Sequence, residues 1–271
     1  MREIRTTFYP TTYFAERLVA GAIPVVNPVP KDADPIFWSP PRDVIADYQR
    51  AGAIVLNGAR FEQWALRTTL PAARTINTAE GFRDRFLTFE SETTHSHGPT
   101  GEHTHAGIDG HTWLDPLLAI EQVRALAAGL ERLFPELETT AERLALEADL
   151  LALDERLRTE LVGLGNVRLF ASHPAYDYLA RRYAWEVTNL DLDPESAPPA
   201  GTIEALADPE GRGLPIVLLW ESPPTGAAAG PFAAVGVRNV VFSPLESAPS
   251  EGDYLEAMNA NIDRLCAAVV D

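Results

Sequence analysis

At 271 residues the chain exceeds the usual size of a single hydrophobic core, and its 46% hydrophobic and 23% charged composition is that of a globular chain able to bury two lobes of ordinary size. With 39 acidic against 22 basic residues, the formal net charge of −17 repels nucleic acid and anionic lipid, and no apolar run reaches the roughly 20 residues needed to cross a bilayer. Cys266 is the only cysteine, which excludes an internal disulfide and a thiolate metal cluster.

The opening "MREIRTTFYP" lacks the apolar core of a signal peptide, so the sequence reads as a cytoplasmic chain or as a mature one whose export signal has been removed. Short apolar runs then alternate with helical patterns through "TYFAERLVAG", "IPVVNPV", "PRDVIADYQRAG" and "AIVLNGA", which predicts βαβ units around a parallel sheet. The loop after "AIVL" carries Asn57 to Glu62.

Residues 91 to 110 hold Gly, Pro, Ser, Thr and His but almost no large apolar side chain, and read as an exposed flexible loop. Five of the six histidines fall in or beside it: His95, His97, His103, His105 and His111. His111 precedes Asp115-Pro116, a helix start, which puts its imidazole on a loop rather than in a packed helix face. From Thr139 to about Leu164 the chain is almost continuously helix-forming, with Thr139 and Glu142 as a capping-box pair and Leu146, Leu150, Leu153, Leu157, Leu161 and Leu164 marking one face. Such a helix is a rod of roughly 37 Å, long enough to run from one lobe to the other.

A second alternation follows through "VRLFASH", "YDYLARRYA", "IVLLWES" and "VRNVVFSPL", closed by the helical "DYLEAMNANIDRLCAAVV", in which Cys266 reads as buried. His173 ends the strand "VRLFAS", the edge at which open α/β sheets bind ligands. Trp220 and Glu221 end another strand.

The segments "TTFYPTTYFAERLVAG", "PPRDVIADYQRAGAIVLNGARFEQW", "GHTWLDPLLA", "SHPAYDYLARRY" and "SPLESAPSEGDYLEAMNANIDRL" occur in the order and spacing of the solute-binding proteins of zinc and manganese ABC transporters, and the chain resembles that family over nearly its full length. The resemblance implies an α/β fold of two lobes, each with a mostly parallel sheet flanked by helices, joined by one long rigid linker helix. The boundaries are an N-terminal lobe over 1–138, with a His-rich loop at 93–107, the linker over 139–164, and a C-terminal lobe over 165–271. It also implies a metal in the interlobe cleft, held through His111 and His173, delivery to a membrane permease, and an extracytoplasmic, periplasmic-type setting. The chain would be a monomer. His95, His97, His103 and His105 would gather Zn²⁺ weakly, because paired imidazoles on a mobile backbone supply nitrogen donors without a preformed geometry.

Two departures leave that ligand set open. Where the family carries the histidine of a "DPHxYEP" segment, this chain reads "DPIFWSP" with Ile36 in its place and Trp38 beside it, and where the family has the Asp of "FVDPL" it has Ser243. Zn²⁺ takes four ligands, so Glu62, Glu246, a water or a loop histidine would complete the set. Zinc is preferred over manganese, since both recognisable ligands are imidazoles. Affinity should then fall below about pH 6.5, where an ordinary histidine protonates. The alternatives are a diverged member without a cleft metal that acts as a surface interaction or adhesion protein and, less favoured, a zinc-dependent hydrolase. No G-x-S-x-G elbow or G-x-x-x-x-G-K-[ST] loop is present, and no enzymatic activity is expected.

Overall fold

A computed structural model describes residues 2–31, 33–89, 93–96, 102–105, 107–206 and 213–270. The chain divides into two compact units: Met1–Phe86 with Ile108–Asp154 and Leu245–Ala257, and Leu87–Gly107 with Glu155–Pro244 and Met258–Asp271. The division is therefore not the contiguous one the sequence suggests. Leu87–Gly107, which contains the His-rich segment, groups with the second unit, where the Leu87 amide donates to the Tyr178 hydroxyl at 3.1 Å. Leu245–Ala257 returns to the first, where the Tyr9 amide donates to the Glu246 carbonyl at 3.2 Å.

In the first unit, strands β1 (Ile4–Thr6), β2 (Val25–Val26), β3 (Ala53–Leu56) and β4 (Thr75–Asn77) form a sheet of order β2-β1-β3-β4, all pairs parallel. Parallel neighbours need crossovers, and helices α1 (Tyr9–Val19) and α2 (Arg42–Arg50) supply the first two. Helix α1 ends because Ala20 and Gly21 both adopt left-handed backbone, at φ 46° and 81°. Helix α3 (Pro116–Leu133) starts where expected: the Asp115 carboxylate accepts from the amides of Leu117 and Leu118 at 2.9 and 3.4 Å, and Pro116 occupies the first turn. Between sheet and helices, Phe8, Phe61 and Trp113 pack with ring centroids 4.4 to 5.1 Å apart, and the Tyr254 hydroxyl donates to the Trp113 carbonyl at 3.0 Å.

Strands β5 (Thr93–Ser96) and β6 (Glu102–His105) replace the expected irregular loop with a two-stranded antiparallel ladder that sets His95 opposite His103 and Thr93 opposite His105. His97 lies outside the described residues.

Helix α4 (Thr140–Glu160) carries the chain from one unit to the other, with the division between Asp154 and Glu155. It ends four residues before Leu164, and a 3₁₀ turn over Val162–Asn166, which includes Gly163 and Gly165, takes over. The leucine stripe is buried throughout. The expected capping box does not form: the Thr139 amide and hydroxyl both donate to Glu131 Oε1, at 3.0 and 2.7 Å, so a carboxylate from the end of α3 does what Glu142 was expected to do.

The second unit repeats the pattern. Strands β7 (Arg168–Ala171), β8 (Val187–Asn189), β9 (Ile216–Trp220) and β10 (Arg238–Val241) form a parallel sheet of order β10-β9-β7-β8, with α5 (Asp177–Tyr183), α6 (Thr202–Ala205) and α7 (Gly226–Ala234) in the connections. Its core holds Phe170, Leu218, Trp220 and Phe232. Trp220 is interior, and its indole N–H donates to Asn239 Oδ1 at 2.8 Å. The closing helix α8 (Tyr254–Val270) also bridges the division, which falls between Ala257 and Met258. On it Cys266 is only partly buried, so the expectation of an interior cysteine is corrected, and desolvation raises its thiol pKa. Among the described residues no helix is long and apolar enough to cross a membrane.

Candidate metal centre

Read from the first strand of each unit, both sheets have the order 2-1-3-4, so the reversal of strand order falls between the first and third strands, β1 and β3 in one unit, β7 and β9 in the other. Open parallel sheets bind ligands outside the carboxyl ends of such a pair, because the connections leave in opposite directions and open a crevice.

In the first unit the loop after β3 is under backbone strain. Gly58, Ala59 and Arg60 carry successive positive φ angles of 83°, 49° and 61°, and a side chain at Gly58 would lie 1.9 Å from Asn77 Oδ1. Glu62 holds this loop: its carboxylate accepts from the Thr7 hydroxyl at 2.6 Å and from the amides of Asn57 and Gly58 at 2.6 and 3.3 Å. Burial raises the pKa of Glu62 against the lowering effect of those bonds. Its described partners are loop-forming groups, not metal donors.

Asn57 joins the loop to the His111 segment, donating from Nδ2 to the Gly110 carbonyl at 2.9 Å while its Oδ1 accepts from Gln122 Nε2 at 2.8 Å. His111 itself is buried between two carboxylates. Asp109 Oδ1 lies 2.7 Å from Nδ1 and also accepts the His111 backbone amide at 2.9 Å, while Glu246 Oε1 lies 2.9 Å from Nε2. Since an ionised carboxylate only accepts, both ring nitrogens carry protons in this arrangement. Burial by itself disfavours the imidazolium, but the charge and hydrogen bond of Asp109, with those of Glu246, outweigh it and push the His111 pKa up to about 10. Leu245, at φ 63°, is a bulky residue in left-handed backbone immediately before Glu246.

Asp34 shares this electrostatic neighbourhood. Burial and the charge of Glu246 push its pKa up to about 7, against the amides of Ile36 and Phe37 and the charge of His111; its Oδ1 accepts the Ile36 amide at 2.8 Å. Ile36 is buried, and Trp38 stands edge-on to Trp64 at 6.4 Å within an apolar cluster.

In the second unit His173 follows β7 and is buried, and Glu221 follows β9, with its Oε2 3.8 Å from His173 Nδ1. Ser243 is tied to α8, its amide donating to Asn261 Oδ1 at 3.0 Å. Among the described residues no group of three or more His, Cys, Asp or Glu side chains is placed to hold a metal ion. Of the residues singled out from sequence, then, His111 and Glu246 meet and Glu62 is engaged in the β3 loop. His173 lies beside Glu221, and His95, His103 and His105 fall on the ladder. Asp109 and Asp34 escaped the sequence reading. The first had a visible signal, an Asp-Gly-His tripeptide of the kind in which a side chain closes onto the amide two residues on.

Residues 4–268 match the protein family described as ZnuA, "Zinc-uptake complex component A periplasmic". The zinc-binding lipoprotein AdcA of Streptococcus pneumoniae serotype 4 is 27% identical over 276 residues, covering 97% of this chain and 54% of that protein, so the chain spans about half the length of this relative. The high-affinity zinc uptake system protein ZnuA of Bacillus subtilis is 27% identical over 278 residues, covering 96% of this chain and 85% of that one. The crystal structure of the metal-dependent lipoprotein YcdH from Bacillus subtilis superposes with a TM-score of 0.83 at 23% identity, covering 99% of both chains, and shares the two-sheet fold. The family is named for a component of an uptake complex outside the cytoplasm rather than for an enzyme, and with residues 4–268 matched this chain belongs to the ZnuA family.

Proposed function

We propose that the chain is the extracytoplasmic solute-binding component of a zinc ABC transporter, capturing Zn²⁺ and delivering it to a membrane permease as a monomer. One observation carries the reading: in a ZnuA-family chain, a buried imidazole, His111, is flanked on both ring nitrogens by carboxylates, an arrangement that favours a bound cation. The donors proposed are His111 and Glu246 together with His173. Glu62 is left out because its oxygens serve the strained loop after β3. Zinc suits two imidazoles and a carboxylate as a borderline-soft ion, whereas manganese favours more oxygen donors. His95, His97, His103 and His105 are proposed as weak collectors of the same ion.

The names of the relatives support zinc as the cargo, since AdcA is called zinc-binding and the Bacillus subtilis ZnuA a zinc uptake protein. Competition against a chromogenic zinc chelator tests it: one tight site per chain, lost in His111→Ala and in His173→Ala, is expected. A purified chain that takes up no zinc would instead revive the reading of a diverged interaction protein.

A further inference from the structure

Resting on the reading of His111 as a zinc ligand, we infer that Gln122 of α3 is a positioning residue: it grips the chain on both sides of His111 and ties that segment to the strained loop after β3, so that the imidazole stands in place before the ion arrives. Its part is to hold the main chain, not to donate to the metal.

All the partners belong to the first unit. Gln122 Nε2 donates to Asn57 Oδ1 at 2.8 Å and to Thr78 Oγ1 at 2.9 Å, and the Thr112 hydroxyl donates between Gln122 Oε1 at 3.3 Å and Asn57 Oδ1 at 3.4 Å. Asn57 Nδ2 passes the link on to the carbonyls of Gly110 and Gly58 at 2.9 and 3.1 Å, and the Thr78 hydroxyl donates to those of Leu56 and Asn57 at 3.1 and 3.0 Å. Gly110 immediately precedes His111 and Thr112 immediately follows it, so one carboxamide reaches both flanks. The β3 loop also presses on the segment directly, since a Cβ on Gly110 would lie 3.2 Å from the Phe61 Cα. Gln122, Asn57, Thr78 and Thr112 are all buried, yet stability alone does not call for them, because matched apolar side chains in their places would be nearly neutral. What the network adds is a single arrangement: a half-satisfied version is costly, so the ends of β3 and β4 and the His111 segment have one register in which all these bonds form. A ligand held in that way before binding loses less freedom when the ion arrives.

Zinc affinity of the full chain by chelator competition tests this, with urea unfolding of the same samples alongside. Gln122→Met, which keeps the length of the side chain but removes its hydrogen bonds, is expected to bind zinc about 10-fold more weakly while folded. Leu126→Ala, one turn further along α3, opens a cavity in the core but removes none of these bonds; it should lose stability yet bind zinc within about twofold of wild type. Should Gln122→Met fail to fold, the pair Thr112→Val and Thr112→Ser decides: weaker binding is expected in the first, which lacks the hydroxyl, and wild-type binding in the second, which keeps it. A folded Gln122→Met that binds within about twofold of wild type, a Leu126→Ala that weakens as much as Gln122→Met, or two Thr112 variants that bind alike overturns the inference and leaves the zinc reading standing. If the wild type binds no zinc, or His111→Ala keeps its affinity, the zinc reading fails and takes the role of Gln122 with it.

Discussion

The two units share one strand order yet present their histidines differently. His173 stands two residues beyond β7, placed by the strand itself, and its carboxylate neighbour Glu221 directly follows β9, so local sequence and sheet order suffice to bring them near. His111 is held by its near neighbour Asp109 at Nδ1 and by residues far apart in the chain, Asn57 fixing its segment and Glu246 meeting its outer nitrogen. The same topology can therefore place a histidine at a strand end or hold one in a clamp that needs a returning segment.

The most direct way to break this comparison is to remove each imidazole in turn. His111→Ala and His173→Ala should each weaken zinc binding by roughly 100-fold or more, above the 10- to 100-fold typical of groups that only support a ligand. If His173→Ala left the affinity intact, the second unit would contribute no ligand there and the parallel would be structural only.

Glu62→Ala separates support from ligation. It strips a buried acceptor from the Thr7 hydroxyl and the amides of Asn57 and Gly58, beside three left-handed residues, and should cost about 2 to 4 kcal/mol in urea unfolding. Zinc affinity of the folded fraction should change far less than in His111→Ala. The reverse pattern would make Glu62 a ligand after all.

The clamp also predicts pH behaviour that an ordinary histidine would not show. With the folded His111 pKa pushed up to about 10 from 6.5, the clamp stabilises the metal-free protein fully below about pH 6.5, and that contribution is lost as pH rises through about 10. Zinc must displace the same proton, so its affinity should climb by about tenfold per pH unit through neutrality instead of levelling off above 6.5. Titrations at pH 7, 8 and 9 that superimpose would show that the clamp does not hold a proton in solution.

Deleting residues 93 to 107 should have the smallest effect on the tight site, since neither His111 nor His173 lies within it, while weaker additional zinc equivalents disappear. Loss of the tight site with the hairpin would mean that a histidine of that segment belongs to the ligand set.

Much of the fold was legible beforehand because it is written in short-range pattern. Short apolar runs gave the strands, the leucine spacing gave the long helix and its buried face, and Asp115-Pro116 gave the start of α3. The errors lie where a local rule met a distant competitor. Glu131, eight residues upstream, displaced Glu142 at Thr139, and the polar segment around residue 95 paired with residues around 103 although its composition offered little to bury.

By itself the sequence determined two parallel α/β lobes and the boundary within a long helix, since each rests on periodicity or on a pattern contiguous in the chain. Only the tertiary structure decided that Glu246 rather than Glu62 meets His111 and that residues 245 to 257 return to the first unit. Those outcomes depend on side chains separated by as much as 135 positions, where burial and competition for hydrogen-bond partners are settled by folding and leave no mark in local pattern.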